Sequence, residues 1–187
     1  MGGSLEFSEI ENIIKFYPNP EKYLQVFVET GTYKGDTTFK MAKKFKQVYT
    51  CEIHNGLLIE ACAKAQNLGI ENIKFFQCDS VPFLREILSS INDNGIYFLD
   101  AHISGTDSSW NGYKCVPLME ELECILEHKG THSNIIIIDD SRFFDGTQNS
   151  PLDWSHISIQ KINTLVEKYT KKYFSFVTND RMFILLN

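Results

Sequence analysis

Five short apolar runs alternate with helix-length segments along this chain, and the alternation limits its fold more than any other feature. The runs, rich in β-branched and aromatic residues, are residues 24–29, 47–52, 73–78, 95–100 and 134–139. The segments with helical spacing are residues 34–45, 55–67, 80–91 and 117–129. Apolar strands separated by helices are typical of a parallel sheet that is covered on both faces. The pattern predicts a doubly wound α/β fold with right-handed crossovers.

The C-terminal segment departs from this alternation. After a predicted helix at 156–171, the stretch KYFSFVTNDRMFILLN contains two β-type runs that only Asn179 and Asp180 separate. So short a link permits an antiparallel hairpin and excludes a helical crossover. We therefore expect a mostly parallel, seven-stranded sheet with helices on both faces and a C-terminal antiparallel β-hairpin.

The length of the chain, 187 residues, suits one domain, which we expect to span residues 1–187. Residues 1–20 are predicted to form an N-terminal helix. Ser8 and Glu11 fit the S-x-x-E capping box at its start, and Pro18 and Pro20 would end it.

Net charge and cysteine content indicate which partners the protein could bind and where in the cell it is expected. A net charge of −6 argues against binding to nucleic acid, because phosphate neutralisation needs clustered Lys and Arg. The five cysteines are odd in number and lack C-x-x-C spacing, which disfavours a disulfide framework or a zinc site. No apolar run approaches the roughly 18 residues of a membrane span, and the acidic N-terminus does not look like a signal peptide. These features predict a cytoplasmic protein.

Acidic residues end all five runs of the predicted parallel sheet. They are Glu29, Glu52, Asp79, Asp100, and Asp139 together with Asp140. Ligands of open parallel sheets bind at the carboxyl ends of the strands. Polar strand ends are also common where a chain merely leaves the core, but an edge where every strand ends in an acid favours a binding site.

The stretch VFVETGTYKGDTT, at 26–38, indicates the kind of ligand. Gly31 and Gly35 are four residues apart, so neither the G-x-G-x-x-G fingerprint nor a phosphate-binding P-loop is present. Glu29, just before the glycine turn, would repel phosphate but suits a cationic ligand, and Glu52 can accept hydrogen bonds from a ribose diol. A nucleoside that carries positive charge fits these features, which points to S-adenosylmethionine (SAM).

The same residues resemble a known family. The stretch ETGTYKGDT, from Glu29 to Thr37, is similar to the first motif of Rossmann-type SAM-dependent methyltransferases, in the variant found in metal-dependent O-methyltransferases such as the catechol and macrocin enzymes. The resemblance covers about residues 24–187 and includes the stretch QCDS and the terminal hairpin. It implies SAM binding by Glu29, Gly31, Thr32, Tyr33, Gly35, Thr37, Glu52, Asp79, Ser80 and Asp100.

A metal site is the second feature that the acidic strand ends suggest. If the fourth and fifth strands are neighbours, oxygens of Asp100, Asp139 and Asp140 could converge on a hard cation such as Mg²⁺. The family resemblance assigns the same three residues as ligands of an ion that orients the acceptor hydroxyl and lowers its pKa. The alternative is a solvated strand exit without a metal.

The sequence leaves the identity of the catalytic base open. His102 lies two residues beyond Asp100, and an unperturbed imidazole titrates close to neutral pH. In the catechol-type enzymes a lysine base follows the strand-four aspartate by three positions, where this chain has Ile103. His102, Asp100 itself or a metal-lowered hydroxyl could therefore serve, and His102 could also be a surface residue. The loop that follows, with Trp110 and Tyr113, could be a lid over the acceptor or an ordinary exposed loop.

The leading hypothesis is a SAM-dependent O-methyltransferase, with divalent-metal assistance, that acts on a small acceptor such as a sugar or sugar-nucleotide. The stretches LDAHISG and CVPLMEEL resemble a methyltransferase group often associated with surface polysaccharide and glycan pathways. A homodimer is compatible with exposed sheet edges. Two alternatives stay open: a metal-independent N-methyltransferase on an amino sugar or protein amine, and a non-catalytic SAM-fold module that binds a partner.

Overall fold

The computed structural model describes residues 3–102, 115–128, 133–146 and 148–187. Within these residues, seven strands form one sheet. They are β1 (Val26–Thr30), β2 (Gln47–Cys51), β3 (Ile73–Phe76), β4 (Gly95–Leu99), β5 (Ile135–Ile138), β6 (Tyr173–Thr178) and β7 (Arg181–Leu186). Six α-helices accompany them in the described part of the chain. They are α1 (Phe7–Ile14), α2 (Asp36–Ala42), α3 (Asn55–Asn67), α4 (Ser80–Leu88), α5 (Leu118–His128) and α6 (Ile159–Tyr169).

The strand order is β3-β2-β1-β4-β5-β7-β6. Strands β1 to β5 pair in parallel, and β7 pairs antiparallel with both β5 and β6. The predicted doubly wound, mostly parallel sheet with a terminal hairpin is confirmed. The order reverses between β1 and β4, and such a switch point is where doubly wound sheets bind ligands.

Alternating side chains of the strands divide the core between the two faces of the sheet. Val26 and Val28 of β1 pack with residues of α4, α5 and α6, such as Leu84, Leu122 and Val166. Phe27, between them in sequence, packs on the other face with residues of α1 and α2. Burial on both faces explains why the strands are continuously apolar.

The N-terminal helix begins at Phe7, one residue before the predicted cap at Ser8. Glu6 is its N-cap, and the backbone N–H of Glu6 donates to the Glu9 carboxylate at 3.1 Å. The capping box is thus formed by Glu6 and Glu9, and the prediction of Ser8 and Glu11 was wrong. Leu5, which is completely buried, fixes where the chain enters the helix.

The terminal hairpin has the two-residue turn that its sequence predicts. Asn179 and Asp180 have φ angles of 50° and 64°. Positive φ at both central residues matches a type I′ turn, whose twist suits the flanking strands. Among the described residues, no helix is both long enough and apolar enough to cross a membrane.

Candidate active site at the carboxyl edge of the sheet

The acidic strand ends lie on one edge of the sheet, because β1 to β5 are parallel. Glu29 is in register with Thr50 of β2 and with Phe98 of β4, so Glu52 and Asp100 follow the two strands that flank β1. Strands β4 and β5 are paired, which brings the residues after Leu99 and Ile138 next to each other. The adjacency on which the metal hypothesis depends is present.

The turn after β1 packs against the end of β4. Gly31 has a φ of +84°, and a Cβ there would lie 2.8 Å from the backbone oxygen of Asp100. Glycine is therefore needed both for the backbone conformation and for the close approach of the two strand ends. Tyr33 and Gly35 also have positive φ angles, of 47° and 78°, and the Gly35 N–H donates to the Thr32 carbonyl at 2.8 Å.

Glu29, in β1 just before this turn, faces the protein interior. Its side chain is buried, and Oε2 accepts hydrogen bonds from the hydroxyls of Thr38 and Thr50. Burial raises the pKa of Glu29 to about 8, although the two hydroxyls act in the opposite direction. The sequence pattern predicts that this carboxylate faces a cationic ligand, whereas the described contacts of Glu29 hold α2 and β2 against β1.

Two threonines that the sequence analysis assigned to the cofactor are also buried and bonded within the protein. The Thr32 hydroxyl is 2.7 Å from the Thr50 hydroxyl. The Thr37 hydroxyl accepts the backbone N–H of Leu5 at 3.1 Å, which ties the N-terminal segment to the start of α2. Thr32 therefore holds the turn to β2, and Thr37 holds the N-terminal segment to α2.

Glu52 joins the turn after β1 to the end of β2. Its Oε2 accepts the Tyr33 N–H at 2.8 Å, and its Oε1 accepts the His54 N–H at 2.9 Å. Each carboxylate oxygen has a second acceptor position, so Glu52 can still accept hydrogen bonds from two neighbouring hydroxyls of a ligand.

The start of α4 holds Asp79 and Ser80. Asp79 is the N-cap residue, and the Ser80 hydroxyl donates to its Oδ1 at 3.3 Å. Behind them lies Glu121 of α5, which the sequence analysis did not single out and which is 1% exposed. Its burial could have been predicted from its position in the sequence. Glu121 lies three residues after Leu118 and four before Ile125, and this spacing places it on the buried face of the helix.

Asp100, His102 and Asp140 form a compact cluster at the ends of β4 and β5. Nε2 of His102 lies 2.5 Å from Oδ2 of Asp140 and 3.5 Å from Oδ1 of Asp100. One ligand atom from each of the three lies within 4.8 Å of the others. The Trp154 ring packs edge-on against the His102 ring, with 5.7 Å between the centroids.

The charges of this cluster influence one another strongly. Burial alone would lower the pKa of His102, but its hydrogen bonds to Asp100 and Asp140 raise that pKa to about 10. Burial raises the pKa of Asp100. Asp140 is also buried, but His102 and Arg142 hold its pKa below the usual range. These contacts favour the protonated form of His102, so a role as base would require that proton to leave first.

Asp139 is not part of this three-residue group, although it was predicted as a ligand beside Asp100 and Asp140. Its Oδ1 is 3.1 Å from Nε of Arg181, a buried residue of β7. Burial and the neighbouring Asp100 charge raise the pKa of Asp139 to about 7. Arg142 pairs with Asp140 instead, at 2.6 Å, and also with Asp180, so the two acids of the consecutive pair contact different arginines.

No protein-family model and no curated protein matches the sequence. Among solved structures, the O-methyltransferase TomG of Streptomyces achromogenes, in complex with SAM, has a TM-score of 0.63 at 11% identity over 98% of this chain and 81% of its own. A candidate caffeoyl-CoA O-methyltransferase of Staphylococcus aureus has a TM-score of 0.61 at 14% identity, over 99% and 85%. An rRNA methylase of Streptococcus thermophilus has a TM-score of 0.51 at 14% identity, over 96% and 95%.

The chain has a methyltransferase fold. Identities of 11–14% show the fold alone, and proteins that differ in acceptor share it. What this member of the fold binds must therefore be argued from its own side chains.

Within the methyltransferase fold, the cluster of Asp100, His102 and Asp140 fits a divalent cation. Two carboxylates and one imidazole are a donor set that protein sites use for Mn²⁺, Fe²⁺ or Zn²⁺, whereas Mg²⁺ favours oxygen donors alone. The cation would compete for His102 with the proton that Asp100 and Asp140 now stabilise. Two of the predictions concern residues outside the described ranges. They are the loop with Trp110 and Tyr113, and Ile103 at the position of the lysine base.

Proposed function

We propose that this protein is a SAM-dependent O-methyltransferase that methylates a hydroxyl of a small, sugar-like acceptor with the help of a divalent cation. The observation that carries the proposal is the position of Asp100. Its backbone oxygen packs against Gly31 of the glycine turn, and its carboxylate faces His102 and Asp140. A cofactor at the turn and an acceptor at the cluster would thus be neighbours, as an in-line transfer requires.

The proposed cofactor contacts are Gly31, Tyr33, Gly35, Glu52, Asp79, Ser80 and Asp100. Glu52 would bind the two ribose hydroxyls, since its oxygens are fixed by the N–H groups of Tyr33 and His54 and retain acceptor positions. Glu29, Thr32 and Thr37 would act indirectly, because their side chains bond within the protein.

The proposed cation ligands are Asp100, Asp140 and His102. A bound cation would orient the acceptor and lower the pKa of its hydroxyl. With His102 as a ligand, Asp100 or solvent would receive the hydroxyl proton. Asp139, predicted as a third carboxylate ligand, would instead keep its pair with Arg181 and set the direction of the loop after β5.

A small polar acceptor is supported by the surroundings of the cluster and by the net charge. The Trp154 ring contacts the His102 ring, and Phe143 lies beside Trp154 with 5.4 Å between the ring centroids. Trp154 is buried, so the partly buried Phe143 is the ring that could meet the apolar face of a sugar. A net charge of −6 disfavours RNA, the acceptor named for the rRNA methylase of the same fold. The same net charge does not argue against a small neutral acceptor.

One observation favours a second candidate, a metal-independent N-methyltransferase. Asp140 already has two cationic partners without a metal, His102 at 2.5 Å and Arg142 at 2.6 Å, and it shares them with Asp100 and Asp180. An amine acceptor needs no cation to become nucleophilic once it is deprotonated. A chelator would stop O-methylation and leave N-methylation unchanged.

Calorimetric titration with SAM tests the proposal, with Glu52→Gln as the variant and exposed Glu60→Gln of α3 as the matched control. We expect Glu52→Gln to weaken SAM binding by about tenfold or more, because a carboxamide loses one charged acceptor. Transfer of labelled methyl groups to a panel of sugars, sugar-nucleotides and amines, with and without EDTA, then separates the two candidates. Failure of the wild type to bind SAM would refute both.

The predicted homodimer is a further part of the proposal. Strand β6 ends the sheet, and it exposes Phe174 and Val177, at 60% and 45%. An edge strand with exposed apolar side chains is a surface on which a second copy could pair. Light scattering coupled to size exclusion, on the wild type and on Phe174→Lys, measures this directly.

A further inference from the structure

Glu121 of α5 is an unusual buried acid. Its side chain is 1% exposed, and among the described residues its Oε1 has no hydrogen-bond partner. An acid in such a position needs an explanation, because burial of a charged or unsatisfied group is costly. A leucine would fit the apolar face of the helix without that cost, as Leu118 and Leu122 do.

The partners of Glu121 lie at two strand ends of the proposed cofactor site. Its carboxyl group lies next to the side-chain hydroxyls of Ser80 and Thr30. Thr30 directly precedes Gly31, and its hydroxyl also accepts the Asp100 N–H at 3.2 Å. Ser80 begins α4, and its hydroxyl contacts Asp79. One side chain thus connects the turn after β1, the end of β4 and the start of α4.

We propose that Glu121 is a positioning residue of the cofactor site, whose carboxyl group holds Thr30 and Ser80 and thereby fixes the backbone at Gly31, Asp79 and Asp100. The cofactor part of this inference rests on the proposed function. Glu121 acts through the two hydroxyls, and no contact with the cofactor itself is needed.

The electrostatic surroundings favour a neutral carboxyl group at this position. Burial, together with the charges of Asp79 and Asp100, raises the pKa of Glu121 to about 8, although the neighbouring hydroxyls of Ser80 and Thr30 oppose the shift. Cys51 and Cys124 also interact electrostatically with Glu121. A neutral carboxyl group both donates and accepts hydrogen bonds, as does the carboxamide of glutamine. Glu121→Gln should therefore keep the connection, and Glu121→Leu should remove it at similar volume.

The test compares Glu121→Gln and Glu121→Leu with Glu123→Gln, a control on the same helix whose carboxylate lies at the surface with Lys168. Two readouts are needed: the Kd for SAM by calorimetry, and amide hydrogen exchange at Gly31, Ser80 and Asp100. We expect Glu121→Leu to weaken SAM binding about tenfold, the effect of one or two lost hydrogen bonds, and to speed exchange at these amides. Glu121→Gln and the control should stay within about threefold of the wild type.

Unchanged exchange and unchanged SAM affinity in Glu121→Leu would overturn the proposal, as would a Glu121→Gln variant that is as impaired as Glu121→Leu. If Glu121→Leu does not fold, Thr30→Val removes the hydroxyl at the other end of the connection and is expected to give the same two changes. If the wild type binds no SAM, the proposed function fails, and the exchange measurement alone then decides whether Glu121 positions the three backbone segments.

Discussion

Nε2 of His102 lies 2.5 Å from a carboxylate oxygen of Asp140. The two residues are 38 positions apart in the sequence, and the pairing of β4 with β5 brings them together. This contact, rather than one between Asp139 and Asp140, defines the cluster that could hold a cation.

Replacement of His102 should therefore weaken cation binding more than replacement of Asp139. For His102→Ala we expect a loss of Mn²⁺ affinity of at least the roughly 10–100-fold that loss of an outer-shell partner costs. His128→Ala, on α5, should leave the affinity unchanged. Calorimetry with Mn²⁺, Zn²⁺ and Mg²⁺ provides the measurement. Cation binding that survives His102→Ala and disappears in Asp139→Asn would favour the three-aspartate site predicted from the sequence.

Gly31→Ala should destabilise the protein more than Gly69→Ala. Both glycines have positive φ angles, 84° and 65°, so alanine at either costs about 1–2 kcal/mol of backbone strain. At Gly69 a Cβ would meet no atom within 4 Å, whereas at Gly31 it would lie 2.8 Å from the Asp100 oxygen. Urea unfolding measures the difference. Equal losses in the two variants would mean that the close approach of β1 and β4 is unimportant.

Loss of Arg181 should strongly destabilise the fold. Arg181 is buried, and it pairs with Asp139 at 3.1 Å and with Glu9 of α1 at 3.0 Å. Removal of one partner from such a buried group costs about 3–5 kcal/mol, because the remaining charges are left unpaired. Lys168→Met, which breaks the exposed pair with Glu123, should cost at most about 1 kcal/mol.

A second substitution checks the cause of that loss. Adding Asp139→Asn to Arg181→Met removes one of the orphaned charges, so the double variant should recover part of the free energy of unfolding. If the losses of unfolding free energy from Arg181→Met and Asp139→Asn simply add in the double variant, the pair with Asp139 does not explain why loss of Arg181 is destabilising.

Glu29 should make the stability depend on pH. Its folded-state pKa is about 8, raised by burial from an ordinary value of 4.5, so the folded protein holds a proton that the unfolded chain releases between these values. The stabilisation is fully present below about pH 4.5 and is lost as the pH rises through 8, with a slope of up to about 1.4 kcal/mol per pH unit.

Urea unfolding of the wild type and Glu29→Gln at pH 5, 6.5 and 8 tests this expectation. The glutamine carries no titrating proton, so its free energy of unfolding should fall less over this range. Glu60→Gln, at an exposed position of α3, should keep the wild-type slope. Parallel curves for all three proteins would mean that Glu29 is ionised in the folded state.

Local patterns in the sequence were enough to predict most of the fold. The order of strands and helices, and the turn at Asn179 and Asp180, follow from hydrophobic spacing and turn chemistry, which act over a few residues. The cap of α1 was placed incorrectly because two similar patterns overlap, and the burial of Leu5 and the pair between Glu9 and Arg181 favour the earlier one. Propensity alone does not contain those distant contacts.

The sequence by itself determined at which edge of the sheet the acidic side chains lie, since the carboxyl ends of parallel strands meet at one edge. The tertiary structure decided which of those acids face one another. Asp139 and Asp140 are neighbours in the chain, yet one pairs with Arg181 and the other with His102 and Arg142. Glu121 likewise joins the site from a helix. The physical reason is that side-chain partners and burial depend on strand order and helix packing, and these bring together residues that no local pattern connects.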